Sequence, residues 1–403
     1  MLKEIMRSRR VYVGVATNAL SSLGNFALSI SLARVLQISE LGEFAVAFAL
    51  YTFCTGLVRA AACEPLLACA PQREMLNSGM QRSSFLSLAF GLLILAAGAA
   101  LSMPYMMVLG ASLHGLTIYD FSKTMNTASF NRKIPLVQEA AWFLVSAGAG
   151  CLVLIGAIGG VYGFLIWSVS GGMIGYVSVA LQSLSMRPQW RNSQLGTGNA
   201  VAFGADYVIG SGANQVTFNL VGAIAGLAAV GSLRAGSTLL GPVSIVIGSA
   251  RTLAIPYLTR GIAESAQVAR SRTWVSAAVI AAVSLPLLAI IAFLPSGVGI
   301  LLLGDNWSHA SRVLPYLALE MAFISMTTIP FAGFRALLAG RMTVVIRSCL
   351  ALLRVSVVVY AAVVGGIIAV AATMAAMSGL GAVVWWVGYF HQMRKTLGRV
   401  DAG

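Results

Sequence analysis

Charge is what this 403-residue chain has least of: Asp, Glu, Lys and Arg together make up 9% of it, against about a quarter in an ordinary soluble domain. Hydrophobic residues reach 58% and mean hydropathy is +0.87, which leaves too little polar surface to solvate a globule of 42.0 kDa. Acids are scarcest, 12 against 26 Lys and Arg, for a net charge of +14. The excess does not point to nucleic acid. Basic residues stand at the edges of apolar segments, where they snorkel and obey the positive-inside rule, and no basic and aromatic cluster offers bases a stacking platform. No Gly precedes Lys3, Lys123, Lys133 or Lys395, so there is no phosphate-binding loop. The aspartates Asp120, Asp206, Asp305 and Asp401 form no DxD pair, and no outer loop has room for a catalytic domain. The cysteines (Cys54, Cys63, Cys69, Cys151, Cys349) are odd in number and lack a CxxC, which implies neither a disulfide framework nor a thiolate metal site; they read as small apolar packers. His114, His309 and His391 are far apart. No cofactor, no metal and no enzymatic activity are expected.

What is present is a series of long apolar segments divided by short polar breaks. That pattern predicts an all-α polytopic membrane protein, because barrel strands would alternate polar and apolar residues. At roughly 20 residues per span, twelve are expected: 11–36, 42–70, 83–103, 105–130, 134–158, 161–183, 201–224, 230–257, 273–294, 309–335, 342–366 and 368–391. The opening MLKEIMRSRR precedes an apolar stretch, Val11 to Leu36, too long for a signal-peptide core of roughly 7 to 15 residues. It is expected to be a retained first helix. With the N-terminus inside, nineteen of the 26 Lys and Arg fall on the inner side, and only Arg34, Arg234 and Arg312 near outer ends. Both termini are thus expected in the cytoplasm.

The longest polar break, Ser183 to Ala200, falls near mid-chain. It predicts two six-helix halves, 1–183 and 201–403, joined by a cytoplasmic linker, 184–200. Each half opens with a polar-striped helix, a short loop and Gly, then a helix with Arg before Pro (Arg59 and Pro65; Arg251 and Pro256). Helices four and ten both open on Pro-Tyr, at Pro104 and Pro315. Six spans is an even number, so the halves would be parallel repeats about an axis along the membrane normal. The spacings Gly171-x-x-x-Gly175 and Gly222-x-x-x-Gly226 read as close helix packing.

Polar residues at membrane depth are the candidates for function. Asn18, Ser21, Ser22, Asn25 and Ser29 share one face of helix one, either as interhelical hydrogen bonders or as the wall of a watered cavity. Helix seven repeats the theme with Asp206, Ser211, Asn214, Gln215 and Asn219. Folding each hairpin about its loop pairs Asp206 with Arg251, Glu320 with Arg354 and Lys123 with Glu139, pairs that either neutralise each other or take part in coupling. Arg59 comes out level with neutral Asn18, and Glu64 lies about 140° round the same helix, so Arg59 is expected to lack an acid at its depth. An arginine in that position either serves an anionic ligand or holds backbone carbonyls at the Pro65 bend.

The run Leu23 to Leu67, LGNFALSISLARVLQISELGEFAVAFALYTFCTGLVRAAACEPLL, resembles the opening hairpin of Wzx-type polysaccharide flippases of the MOP (MATE-like) superfamily, with ARVLQISELGEFAVA as its specific part. A second match is IYDFSKTMNTASFNRKIPLVQEAAWFL, Ile118 to Leu144. The resemblance implies a V-shaped bundle in a bacterial plasma membrane that flips a polyprenyl-pyrophosphate-linked oligosaccharide by alternating access. Its partners would be that lipid-linked substrate, membrane lipid and a glycan polymerase or biosynthesis complex. The family's use of basic residues for pyrophosphate carries over to Arg59, and to Arg251 and Arg354, beside Asn18 and Asn25 on the cavity wall. Asp206, Glu64 and Glu320 are the candidates for ion coupling. The rival readings are a small-molecule antiporter of the multidrug type, which would want a carboxylate-rich cavity, and a non-transporting scaffold. Neither the glycan nor the oligomeric state is legible. A topology reporter fused after Gly196 is expected to read as cytoplasmic; an external reading would mean an odd number of spans before it.

Overall fold

The computed structural model describes residues 9–67, 72–128, 133–190, 197–337 and 339–400, and among them every regular element is helical. In chain order these are α1 (Arg9–Val35), α2 (Ile38–Ala62, continued by a turn at Glu64–Leu67), α3 (Arg73–Ala100), α4 (Pro104–Ala128), α5 (Lys133–Leu154), α6 (Gly160–Leu181), α7 (Thr197–Tyr207), α8 (Ala213–Ala225), α9 (Leu227–Leu239), α10 (Gly241–Glu264), α11 (Ala266–Ala292), α12 (Ser296–Leu303), α13 (Trp307–Ala336), α14 (Gly340–Val364) and α15 (Gly366–Val400). Each expected span falls on one helix or on a broken pair. Span seven is α7 and α8 joined through a π turn at Val208–Gly212. Span eight covers α9 and α10, which bend by 62° at their junction. Eight of the helices are each long and apolar enough to cross a membrane. The polar-striped α1, and α4 with its Asp120 and Lys123, are not among them.

The chain separates into two compact units, Met1–Gly222 and Ala223–Gly403. In the first, α3 packs on α4, α4 on α6, α1 on α5 and α2 on α4, with α7 against α2. The specific part of the opening hairpin has a clear physical task here. The Glu43 carboxylate accepts from the Tyr105 backbone N–H at 2.9 Å, and Glu40 accepts from the Tyr105 hydroxyl at 2.9 Å. An acid at a helix N-terminus satisfies an otherwise orphaned N–H and favours the helix dipole. The contact also ties the start of α4 to the start of α2, so the two helices run side by side from a common end. Phe44 is wholly buried beside it, edge-on to Tyr105 and Phe164 at 5.9 and 5.6 Å. From there an aromatic column continues through Trp167 and Trp142 to Tyr119, and the Trp142 indole donates to the Trp167 carbonyl at 2.8 Å.

The linker between the expected halves is bound over its described part. Residues 183–190 lie along α3: Ser185 N donates to Asn77 Oδ1 at 2.9 Å, Gln189 N to Gln81 O at 3.1 Å, and Ser84 Oγ to Met186 O at 2.7 Å. Arg82, fully buried, sits 5.3 Å from the Trp190 ring centre. Leu184 and Met186 join the core cluster around Met80 and Phe121.

Two readings of the sequence are corrected. Pro315 does not open a helix but lies inside α13, so only Pro104 stands at a helix start. Gly226 does not mediate packing: a Cβ added there would meet nothing within 4 Å, and at φ 86° the residue serves the break between α8 and α9, a backbone conformation that costs little only for glycine. Gly171 and Gly175, by contrast, are packing glycines; a Cβ on Gly175 would come 2.6 Å from the Tyr119 backbone nitrogen. Gly175→Ala is therefore expected to destabilise by about 1–3 kcal/mol through overpacking, read as a lowered melting temperature in detergent. Gly148→Ala, where a Cβ meets nothing within 4 Å, is the control and should leave it unchanged.

Candidate functional site

The register set at Glu43 and Tyr105 decides what meets deeper in the bundle. Sixteen residues further along α2 and fifteen along α4, roughly 24 Å at 1.5 Å per residue, stand Arg59 and Asp120. They form a two-point ion pair: Arg59 Nε donates to Asp120 Oδ2 at 2.8 Å and Nη2 to Oδ1. This corrects the expectation that Arg59 lacks an acid at its depth. Hairpin folding compares only consecutive helices, and Asp120 is two helices away. Arg59 nonetheless remains 48% exposed while Asp120 is only 12% exposed. The carboxylate is packed behind a guanidinium that still has N–H groups to offer.

One turn along α4, Lys123 pairs with Glu139 of α5, as the hairpin fold expects, and also donates to Ser21 Oγ of α1 at 3.2 Å. Ser21 is thus a member of the polar stripe that reaches a charged group. Asn25 is half-buried on the same helix. Tyr207 of α7 donates to the Thr52 carbonyl at 3.0 Å, two turns before Arg59 on α2. The first unit therefore gathers Arg59, Asp120, Lys123, Glu139 and Ser21 from four helices. Glu64 begins the turn that follows α2 and is half-buried. The side chains of Asn18, Asp206 and Arg251, and with them the expected Asp206–Arg251 pair, lie outside the described residues.

A further buried pair lies in the other unit. Arg354 of α14 donates through Nη2 to Glu320 of α13 and through Nη1 to Ser378 Oγ of α15 at 3.0 Å. The two side chains of the pair are 17% and 9% exposed, so it is largely occluded where Arg59 is open. Among the described residues, no group of three or more His, Cys, Asp or Glu is placed to hold a metal.

The contrast in exposure generates a test. Removing one member of a buried pair strands the other charge, at a cost of about 3–5 kcal/mol. Arg354→Ala is expected to lower membrane abundance sharply, and the double exchange Arg354→Glu with Glu320→Arg to restore it. Quantitative immunoblotting of membranes reads the result; an exchange variant as scarce as the single one would count against simple mutual neutralisation.

The comparisons with known proteins agree with this architecture. A family described as polysaccharide biosynthesis proteins matches residues 30–312. No curated protein matches the sequence. Among solved structures, a multidrug resistance MATE family transporter of the MOP superfamily, inward-facing, aligns at TM-score 0.74 and 12% identity over 93% of this chain and 95% of its own. The lipid II flippase MurJ, inward closed, aligns at TM-score 0.70 and 12% identity over 96% and 91%. A MOP superfamily transporter from Pyrococcus furiosus aligns at 0.56 and 13% identity over 96% and 95%. At such identities the structures speak for the fold, and the family assignment rests on the sequence match. The chain belongs to the polysaccharide biosynthesis protein family and has the fold that the MATE transporter and the lipid II flippase share.

Proposed function

We propose that the protein flips a polyprenyl-pyrophosphate-linked oligosaccharide across the bacterial plasma membrane, with both termini in the cytoplasm, by alternating access of two six-helix halves, 1–183 and 201–403, joined by 184–200. The observation that carries this reading is Arg59: a half-exposed guanidinium at membrane depth, held flat by a carboxylate behind it. Asp120 acts as a positioning residue. It fixes the plane of the fork and offsets its charge while the chain is empty, and the unused N–H groups face the open side. A pyrophosphate presents pairs of oxygens that the planar fork of arginine binds at two points. Because Asp120 already occupies part of the fork, the anion binds in competition with it, which favours release as well as capture. Lys123, Ser21 and Asn25 would line the approach; Asn18 and Arg251 are substrate candidates from the sequence alone.

The occluded Arg354–Glu320 pair fits a brace between α13, α14 and α15 better than a substrate contact. Ion coupling is assigned to Glu64 and Asp206. The multidrug antiporter reading draws support from the MATE-like fold, but the two carboxylates gathered in the first unit, Asp120 and Glu139, are each already matched by a cation of the chain. A cationic substrate would have to displace those partners.

A charge-assisted hydrogen bond contributes roughly 1.5–3 kcal/mol, about 10- to 150-fold in affinity. In proteoliposomes loaded with the lipid-linked oligosaccharide, Arg59→Ala, made together with Asp120→Asn so that no occluded carboxylate is stranded, is expected to lose most flipping at normal membrane abundance, and Arg59→Lys to keep part of it. Asp120→Asn alone leaves the guanidinium without its competitor, so substrate binding should tighten while turnover falls. Full transport by a normally abundant protein carrying both Arg59→Ala and Asp120→Asn would sink the assignment; lost abundance in that variant would instead mark Arg59 as a structural residue.

A further inference from the structure

In the second unit, an apolar groove of about 470 Å³ opens between α11, α13 and α15, within the range of about 300–1,000 Å³ typical of pockets for single small ligands. Its origin can be traced to one proline. Pro330 lies inside α13 and has no N–H to give to the Met326 carbonyl one turn back. The Trp386 indole of α15 donates to that carbonyl at 3.1 Å instead. Trp386 is thereby fixed as a wall, and Trp274 of α11 stacks on it at 5.4 Å with 13° between the planes. Phe390 completes the aromatic face, 5.4 Å from Trp386 and 5.7 Å from Trp274.

The remaining lining is small or aliphatic: Ala277 and Ala281 make the space and Ile329 forms part of the floor. The hydroxyl at the floor, Ser325 Oγ, is already committed to the Ala322 carbonyl at 2.7 Å and to Ser284 Oγ at 3.1 Å. The groove thus offers apolar contact and no spare polar group, which suits a hydrocarbon chain. Polarity begins at its mouth. Arg270 stands one helical turn before Trp274, and Arg394 one turn after Phe390, so each continues the face that carries the rings. Both are exposed, and neither has an acidic partner among the described residues. Their neighbour Arg272 is different: it is paired with Glu264 at 2.5 Å and lies 5.1 Å from the Tyr257 ring.

We propose that this groove binds one anionic phospholipid, an acyl chain along Trp274, Trp386 and Phe390 and the phosphate headgroup between Arg270 and Arg394. Chain and charge are matched at a single place: aromatic walls for the hydrocarbon, and two open guanidinium groups one turn away for the phosphate. The site is separate from Arg59 and does not depend on what the protein transports.

The test uses the full-length protein in phosphatidylcholine nanodiscs containing a minor share of phosphatidylglycerol, with bromine placed on the chains of one lipid or the other. Bromine quenches indoles it touches. Trp142, Trp167, Trp307 and Trp385 are buried, at 4%, 0%, 8% and 8% exposure, and half-buried Trp190 is replaced in every protein compared (Trp190→Phe), so Trp274 and Trp386 dominate the accessible signal. Brominated phosphatidylglycerol is expected to quench at least about fivefold more effectively, per lipid, than brominated phosphatidylcholine, the preference one surface arginine supplies. Arg270→Gln with Arg394→Gln should abolish the preference, and Trp274→Phe with Trp386→Phe should remove the quench while keeping the aromatic walls. Equal quenching by the two lipids would reduce the groove to ordinary lipid-facing surface and overturn the proposal. So would a preference that survives loss of both arginines, or quenching relieved by undecaprenyl phosphate but not by unbrominated phosphatidylglycerol, which would assign the groove to a polyprenyl lipid instead.

Discussion

The hydrogen bond from the Tyr105 backbone to Glu43 is the contact on which the first unit depends. It costs the chain one acid at the start of α2 and returns a fixed register between α2 and α4. Everything below follows from that register. Phe44 enters the aromatic column, the small faces of α4 and α6 can close at Gly175, and Arg59 arrives level with Asp120. Inside hydrocarbon, a guanidinium displaced by one turn would have no water to fall back on. The pairing of the deep charges and the capping of a helix start some 24 Å away are therefore one geometric problem with one solution.

Much of this was legible in the sequence, and what was not has a common cause. The span positions followed from apolar length, because a membrane helix has to carry its own hydrogen bonds across a fixed thickness. Lys123 with Glu139 and Arg354 with Glu320 followed from hairpin geometry, because consecutive helices turn about a known loop. Arg59 with Asp120 did not, since their helices are separated by α3 and no loop relates them. The signal was nevertheless present. The ELGEF segment and the Pro104-Tyr105 start each stood out in isolation, and recognising that one caps the other would have aligned α2 with α4. The misreadings of Pro315 and Gly226 are of a different kind. A proline two turns inside a long helix and a glycine at a helix break share their local patterns with a helix start and a packing face, and only the backbone distinguishes them.

Polar groups elsewhere in the chain are disposed of by the same economy of partners. Where a proline frees a carbonyl on α13, an indole takes it up. Where the segment after α6 returns along α3, its amides and carbonyls find Asn77, Gln81 and Ser84. The three helices α13, α14 and α15 share one arginine between a carboxylate and a hydroxyl. The difference between these sites and Arg59 is one of exposure: they are occluded, and Arg59 is not.

That distinction settles the standing of His114. Tyr176 and His114 Nδ1 are 2.6 Å apart, His114 Nε2 and Ser84 Oγ 2.8 Å, and Ser84 donates onward to the Met186 carbonyl at 2.7 Å. With the serine proton committed to the carbonyl, the imidazole must present N–H to the serine and a lone pair to the tyrosine, so all the dipoles point one way. A row of hydroxyls and an imidazole has the form of a proton wire. A wire, however, has to end in a group that can take the proton and lose it again, and a peptide carbonyl does neither at neutral pH. The row is a dead end for current: it orients the imidazole and fastens the returning segment, and it carries no proton past the Met186 carbonyl.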